Sequence, residues 1–306
     1  MKQIMKKILI LYTTKENTPF QENISIQIIK EIENSLLIFN YLVVCCEFEQ
    51  ADFYKLKNDF KPNVVLNLVY GYLNQKTNTI LEQPETTAII ETHFNCIVGT
   101  NAKTQKLVQN KLLTGQMLME IGLNAPNIIN IENYKEGNLV IGKPRCGSRH
   151  RNIELLNSFS AIKNYTEKIN HAIIQEYIPG REFTLGLYQC NGETRAFTPL
   201  EIVYENKGNT LMNWEVNQWT YAPDKKDNFN LKEIGIYIFN KFKLKDYARI
   251  DIRLKGNQPY ILDINSLPNL DPEISLLPLV AKYDNIHFKE LLNLLINSAL
   301  YNNSDR

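Results

Sequence analysis

Residues 247–265, YARIDIRLKGNQPYILDIN, constrain this chain more than any other stretch. Ile250, Ile252 and Leu254 alternate with Arg249, Asp251 and Arg253. Beyond a glycine, Tyr260, Leu262 and Ile264 alternate with Ile261, Asp263 and Asn265. Period-two alternation marks strands with one face on a core, so two adjacent runs predict a hairpin. For both apolar sets to share a face, paired residues must match in parity. A three-residue loop, Gly256-Asn257-Gln258, satisfies this and suits a hairpin with glycine in its turn. Asp251 then lies opposite Asp263, and Arg249 opposite Asn265. Like charges directly opposite one another are destabilising, which leaves two readings. Either this is a solvated outer face with scattered charges, or a hard cation sits between the carboxylates. Mg²⁺ takes oxygen ligands, with one or two carboxylates and substrate phosphates completing its shell. The second reading therefore implies a nucleotide nearby.

The N-terminal third alternates strand and helix. KKILILY reads as a strand, ENISIQIIKEIENSL as an amphipathic helix and YLVVCCEF as a second strand. PNVVLNLVYG is a third, apolar enough to lie buried in a parallel sheet. Strands separated by helices predict a doubly wound α/β layer. FNCIVGTN gives a short strand and turn that open a new region. AKTQKLVQNKLLTGQMLMEIG then reads as one long helical stretch closed at Gly122. A strand running into a Gly/Ser/Arg loop follows, then a strand, a Pro-Gly turn and another strand. The last third holds RAFTPLEIVYEN, a Trp-containing polar stretch over 207–225, a helix near 231–242, the hairpin, and a helix FKELLNLLINSAL. No repeat or low-complexity linker interrupts the chain, so boundaries fall in short connections near 95 and 180.

The 306 residues are enough for two or three domains, and a net charge of +1 gives no support for a nucleic-acid or membrane partner. The five cysteines form no CxxC pair and are odd in number, which fits a reducing cytoplasm. The opening MKQIMKKILILYTT has too short an apolar run for a signal peptide and reads as a buried strand. No segment approaches the roughly 20 apolar residues that cross a bilayer.

Two further stretches could carry chemistry. In VIGKPRCGSRHRN a strand presents Lys143, and its loop holds Gly147, Ser148, Arg149, His150 and Arg151. Glycine-exposed backbone N–H groups, a hydroxyl and guanidinium forks form a phosphate cradle, or else an ordinary basic turn. In IIQEYIPGREFTLG, Gln175, Glu176 and Tyr177 end a strand and Glu182 lies beyond the turn. A strand edge offers N–H and C=O to an adenine, and a carboxylate accepts from ribose hydroxyls. Taken alone, any hairpin looks similar.

The four pieces occur in the order of the ATP-grasp superfamily, and the chain resembles its D-alanine–D-alanine ligase branch. The resemblance rests on QNKLLTGQMLMEIGLNAPN, LVIGKPRCGS, IIQEYIPGREFTLGLY, YARIDIRLKGNQPYILDINSLPNL and ISLLP…FKELLNLL, and spans roughly residues 60–297. It implies a three-domain α/β (α+β) ATP-grasp fold. An N-terminal doubly wound substrate domain would occupy 1–95, a central subdomain 96–180, and a C-terminal subdomain with the metal site 181–306. ATP would lie between the last two. By resemblance Lys111 and Lys143 are the phosphate lysines, Gln175 takes the place of an adenine-facing acid, and Glu176, Tyr177 and Ile178 line the base. Glu182 binds the ribose. Asp251, Asp263 and Asn265 hold Mg²⁺ (or Mn²⁺), and Arg249 steadies the transition-state oxyanion. Ser148 belongs to the loop that closes on phosphate, and Ser275 receives the second substrate's carboxylate. Glu22, with Ser25 as the other candidate, handles the first substrate.

The same resemblance implies an ATP-dependent, ADP-forming ligase that joins a carboxylate to an amine through an acyl phosphate. Its partners would be small amino acids or amines, and it would be a homodimer as such ligases often are. The chain departs from the pattern in four places. Tyr70 replaces a histidine at the substrate site, the N-terminal serine-and-glutamate motif is looser, no lysine falls between Trp214 and Tyr221, and Asp263 stands where glutamate is usual. A ligase for another amino acid–amine pair, or an inactive nucleotide-binding regulator, are the alternatives. Retention of Arg249 speaks against the latter.

Overall fold

In β1 (Lys7–Tyr12), Ile8 and Ile10 enter one core while Leu9 and Leu11 enter another. A strand buried on both faces needs helices on both sides of its sheet, and the chain supplies them. The computed structural model describes residues 5–14, 24–74, 76–147, 152–204, 219–223 and 230–304. α1 (Ile26–Leu37) starts at Ser25, whose hydroxyl accepts from the Ile28 amide at 3.3 Å, and its Ile28, Ile29, Ile32 and Leu36 cover the first face. β2 (Leu42–Glu47), a helical turn α2 (Phe53–Lys55) and β3 (Val64–Leu68) follow. Next come the hairpin β4 (Gly71–Asn74) and β5 (Thr79–Glu82), then α3 (Gln83–His93), whose Ile90 packs on the second face. β6 (Ile97–Val98) pairs in parallel with β3, giving the sheet order β2-β1-β3-β6. The strand expected to open a new region thus completes this sheet.

The stretch expected as one helix is two. α4 (Ala102–Gln109) stops at Asn110, which has φ −85° and ψ 95°, and α5 (Lys111–Glu120) begins there. Asn110 Oδ1 accepts from the Leu113 amide at 3.3 Å, an N-cap, and Thr114 Oγ1 donates to the carbonyls of Leu107 and Val108 at 3.1 Å. Side-chain hydrogen bonds replace the backbone bonds lost at the break, and Lys111 becomes the first residue of a new helix. β7 (Val140–Pro144), β8 (Glu154–Leu156), α6 (Phe159–Lys168) and β9 (Ala172–Glu176) then form an antiparallel sheet in the order β8-β7-β9, with Ile162 and Tyr165 of α6 in its core.

β10 (Arg181–Cys190), β11 (Glu193–Ala196), β12 (Leu200–Tyr204), β13 (Trp219–Pro223) and, after the helix α7 (Leu231–Lys241), β14 (Tyr247–Lys255) and β15 (Gln258–Asn265) build the large antiparallel sheet, ordered β13-β12-β10-β14-β15 with β11 beside β10. α8 (Leu276–Tyr283) and α9 (Phe288–Ser304) complete the chain. Leu291, Leu292, Leu295 and Ile296 of α9 return to the core shared by β1 and α1. Among the described residues no helix is long and apolar enough to cross a membrane.

In the opening hairpin Asp251 faces Asp263 and Arg249 faces Asn265 as expected, by a different route. The turn has two residues, with Lys255 paired to Gln258 and Gly256 at φ +62°. Parity is restored by a β-bulge, since Asp251 pairs with Asp263 while Ile252 pairs with Ile261. Leu262 is the extra residue. A bulge turns every side chain before it to the opposite face, so Ile261 joins Ile250, Ile252 and Ile264 in the core, where Tyr260 and Leu262 had been expected. Leu262 is turned instead into a narrow cleft beside Lys111, Gln175 and Asp263.

Candidate active site

Three neighbouring strands carry the site on one face. β10 pairs with β14 so that Glu182 meets Arg253, Thr184 meets Asp251 and Gly186 meets Arg249; β15 adds Asp263 and Asn265 on the other side of β14. Directly opposite residues on adjacent strands project to the same face.

Asp251 is 8% exposed and accepts hydrogen bonds from Arg249, Thr184 and Asn265. Arg249 forks it, Nε to Oδ1 at 3.0 Å and Nη2 to Oδ2 at 2.9 Å. Thr184 Oγ1 donates to Oδ1 at 3.0 Å and Asn265 Nδ2 to Oδ2 at 3.1 Å. The opposition of Asp251 and Asp263 is thus relieved by Arg249 on one side. On the other side stands Lys143, which feels the charge of Asp263. A hard cation fits this set, because two carboxylates and a carboxamide present oxygen donors from adjacent strand positions. Among the described residues no group of three or more His, Cys, Asp or Glu side chains comes together, so phosphate oxygens would have to complete the shell. An ion binding here would compete with the Arg249 fork.

Lys143 projects from β7 and is almost wholly buried. Burial pushes its pKa down from 10.5 to about 7; nearby Lys111 pushes the same way, and Asp263 opposes both. Lys111, at the head of α5, donates from Nζ to the Gly147 carbonyl at 2.6 Å, and its amide donates to Arg145 O at 2.9 Å. Two cations brought together in a low-dielectric recess are costly unless an anion joins them.

At the far end of the cleft Gln175 is buried and lines the same recess. Glu176 accepts from Lys255 Nζ at 3.1 Å and from Asn127 Nδ2 at 2.8 Å. Ile178 is buried. Glu182, 6% exposed, accepts at Oε2 from Arg253 Nε at 2.9 Å and Nη2 at 2.6 Å. Arg253 Nη1 donates to Ile178 O at 2.9 Å, and its guanidinium lies 5.3 Å from the centre of the Tyr177 ring. Gly180, at φ +129°, lets the turn sit against β14, because a Cβ there would collide with the Leu254 carbonyl oxygen.

Tyr70 is buried, and its hydroxyl accepts from the Leu270 amide at 3.2 Å. With Gln83 Nε2 donating to Leu267 O at 3.0 Å, it pins the segment that follows Asn265. Ser275 stands at the N-cap of α8 without a side-chain cap bond. Ser148, Arg149, Arg151 and Glu22 lie outside the described residues, as does most of 207–225. Ser25, weighed beside Glu22, caps α1. Sequence reasoning missed Thr184 and Arg253 as partners of Asp251 and Glu182. Their signal was parity alone: Thr184 is two residues from Glu182, and Arg253 two from Asp251.

Residues 148–297 match the family model for the D-ala D-ala ligase C-terminus, and residues 74–180 match that for the tubulin-tyrosine ligase family. The chain is 27% identical over 303 residues to the D-alanine–D-alanine ligase of Petrotoga mobilis, covering 91% of this chain and 94% of that protein. It is 28% identical over 219 residues to the D-alanine–D-alanine ligase of Aquifex aeolicus, covering 65% of this chain and 72% of that protein. Among solved structures, the D-alanine–D-alanine ligase of Bacillus anthracis complexed with ATP superposes with a TM-score of 0.75 at 17% identity, over 99% of both chains. A D-Ala:D-Ser ligase from Enterococcus faecalis gives 0.76 at 14% identity, over 96% of this chain and 99% of that one. The fold is that of these ligases.

Proposed function

We propose that the chain, a D-alanine–D-alanine ligase-like member of the ATP-grasp superfamily, joins the carboxylate of one small amino acid to the amine of another with cleavage of ATP to ADP and phosphate. A carboxylate oxygen of the first substrate attacks the γ-phosphorus, the bond to the bridging oxygen breaks, and an acyl phosphate forms. The amine then attacks the acyl carbon, and phosphate departs with the bonding electrons. No side-chain nucleophile is required.

Each resident side chain has a distinct task. Lys111 and Lys143 neutralise phosphate oxygens and hold the γ-phosphate in line. Gln175 and the Glu176–Ile178 backbone receive the base, and Glu182 accepts from the ribose. Asp251, Asp263 and Asn265 would hold Mg²⁺, which supplies charge neutralisation at the phosphates. Arg249 donates to the oxygen of the reacting carboxyl as it becomes an oxyanion, the form of stabilisation that outweighs others in acyl transfer. Ser275, at the N-cap of α8, would receive the second substrate's carboxylate.

One observation carries this reading: Lys111 at the head of α5 and the almost wholly buried Lys143 of β7 converge beside Asp263, a pair of cations suited to a polyphosphate. Phosphate release from ATP is the test, measured with D- and L-amino acids singly and in pairs. Release that depends on a carboxylate and an amine together supports the proposal. Folded protein that releases phosphate with no pair refutes it.

Tyr70 favours a second reading of the substrate. Where the related ligases usually present a histidine, this side chain is buried and its hydroxyl engages the Leu270 amide. A hydroxyl so engaged does not take a histidine's part toward the substrate, which favours a carboxylate–amine pair other than two D-alanines, and the same amino-acid panel separates the two.

A further inference from the structure

The charged face of β14 carries three residues at alternate positions, and the chemistry above uses only Arg249 and Asp251. Arg253, the third, is 3% exposed. A buried arginine is expensive unless its donors are satisfied, and here three of them are directed to two places. Nε and Nη2 converge on Glu182 Oε2, and Nη1 holds the carbonyl of Ile178. The Tyr177 ring packs over the guanidinium, and Gly180 allows the intervening turn to press on Leu254 O. One planar fork therefore ties the base-lining segment and the candidate ribose carboxylate to a single strand position. That position lies two residues from Asp251 and four from Arg249.

We infer that Arg253 is a positioning residue for the nucleotide: it fixes Glu182 and the Tyr177–Ile178 backbone relative to the phosphate and metal end of the site, and thereby sets recognition of the ribose hydroxyls. The inference rests on the reading that ATP lies along this cleft. Because β14 is a paired central strand, the spacing between the two ends is held by strand geometry, about 3.4 Å per residue. Lysine cannot replace the fork, since its single ammonium cannot hold Glu182 and Ile178 in the same planar arrangement.

The test compares binding of ATP, 2′-deoxy-ATP and 3′-deoxy-ATP by titration calorimetry to the full chain, its Arg253→Met variant and its Arg253→Lys variant, each checked for cooperative unfolding. The wild type should bind ATP about tenfold or more tightly than at least one deoxy analogue, the size of a lost hydrogen bond to a charged group. In Arg253→Met that ratio should collapse towards one, with KM for ATP rising about ten- to a hundredfold and kcat changing little. Arg253→Lys should fall between them, and carries the test alone should the Met variant not fold. A folded variant that keeps the wild-type ratio overturns the inference, as does one that weakens all three nucleotides equally. A wild type that binds ATP without discriminating overturns it while leaving the ligase reading intact. A wild type that binds no nucleotide removes both.

Discussion

Replacing Lys143 with methionine should stabilise the protein while disabling it. The lysine sits at the end of β7 with its pKa pushed from 10.5 to about 7, chiefly by burial, with Lys111 adding to the effect. Between pH 7 and 10.5 the unfolded chain holds this proton and the folded chain has largely released it. The unfolded state therefore binds more protons, and stability attributable to this group rises with pH through that window. Below pH 7 both states are protonated and the full penalty applies. A shift of that size corresponds to roughly 5 kcal/mol at about 1.4 kcal/mol per unit. Methionine keeps the length of the side chain and removes the charge, so little packing is lost. Urea unfolding of nucleotide-free wild type and Lys143→Met from pH 6 to 10 reads the effect. The variant should be the more stable by several kcal/mol at pH 6–7, and the gap should close towards pH 10. Tyrosine and cysteine ionisation affects both proteins alike and cancels in the difference. A difference independent of pH, or a less stable variant at pH 7, would refute the reasoning. The same logic predicts that ATP, by restoring an anion, draws a proton onto Lys143; calorimetry near pH 8 in buffers of differing ionisation enthalpy should record the uptake.

Arg249→Lys keeps a charge but loses the fork on Asp251, and should lower kcat by about a hundredfold or more with KM for ATP nearly unchanged; steady-state kinetics at saturating substrates showing a loss below tenfold would contradict the oxyanion role. Asn110→Ala removes the cap that starts α5 and should cost about 1 kcal/mol, seen as a fall of roughly 2 °C in the melting temperature, together with weaker nucleotide binding because Lys111 is the next residue. Deleting Leu262 removes the bulged residue while keeping Asp263 opposite Asp251, so the protein should fold and still respond to Mg²⁺ but bind ATP more weakly, as titration of the purified variant would show.

The strands β1, β2 and β3 were legible in the sequence because each is short and apolar, and α1 between the first two because its apolar residues recur at helical spacing. The facing carboxylates were legible for a similar reason, since period two fixes which residues share a side. The break at Asn110 was not. Apolar spacing continues across it, and asparagine is tolerated inside helices; what decides the matter is that Thr114 can reach the carbonyls of Leu107 and Val108, a contact visible only once both turns are built. The return of α9 to the first core was equally hidden, because amphipathic spacing states that a helix has a buried face without stating what buries it.

The hairpin shows how a parity argument can reach the right pairing through the wrong loop. Parity requires one residue beyond the two-residue turn, and it does not say where that residue goes. Placed in the turn, it would have left Leu262 in the core and Ile261 outside. Placed as a bulge between the Asp251 and Ile252 pairs, it reverses both and leaves the pairing at Asp251 unchanged. The bulge also has a consequence that a longer turn lacks, since Leu262 then lines the cleft beside Gln175 and Lys111. Bulges are over-represented beside active sites because they re-aim a side chain without disturbing the strands around it. A sequence pattern that records only alternation states that an extra residue is needed and has no access to where it goes.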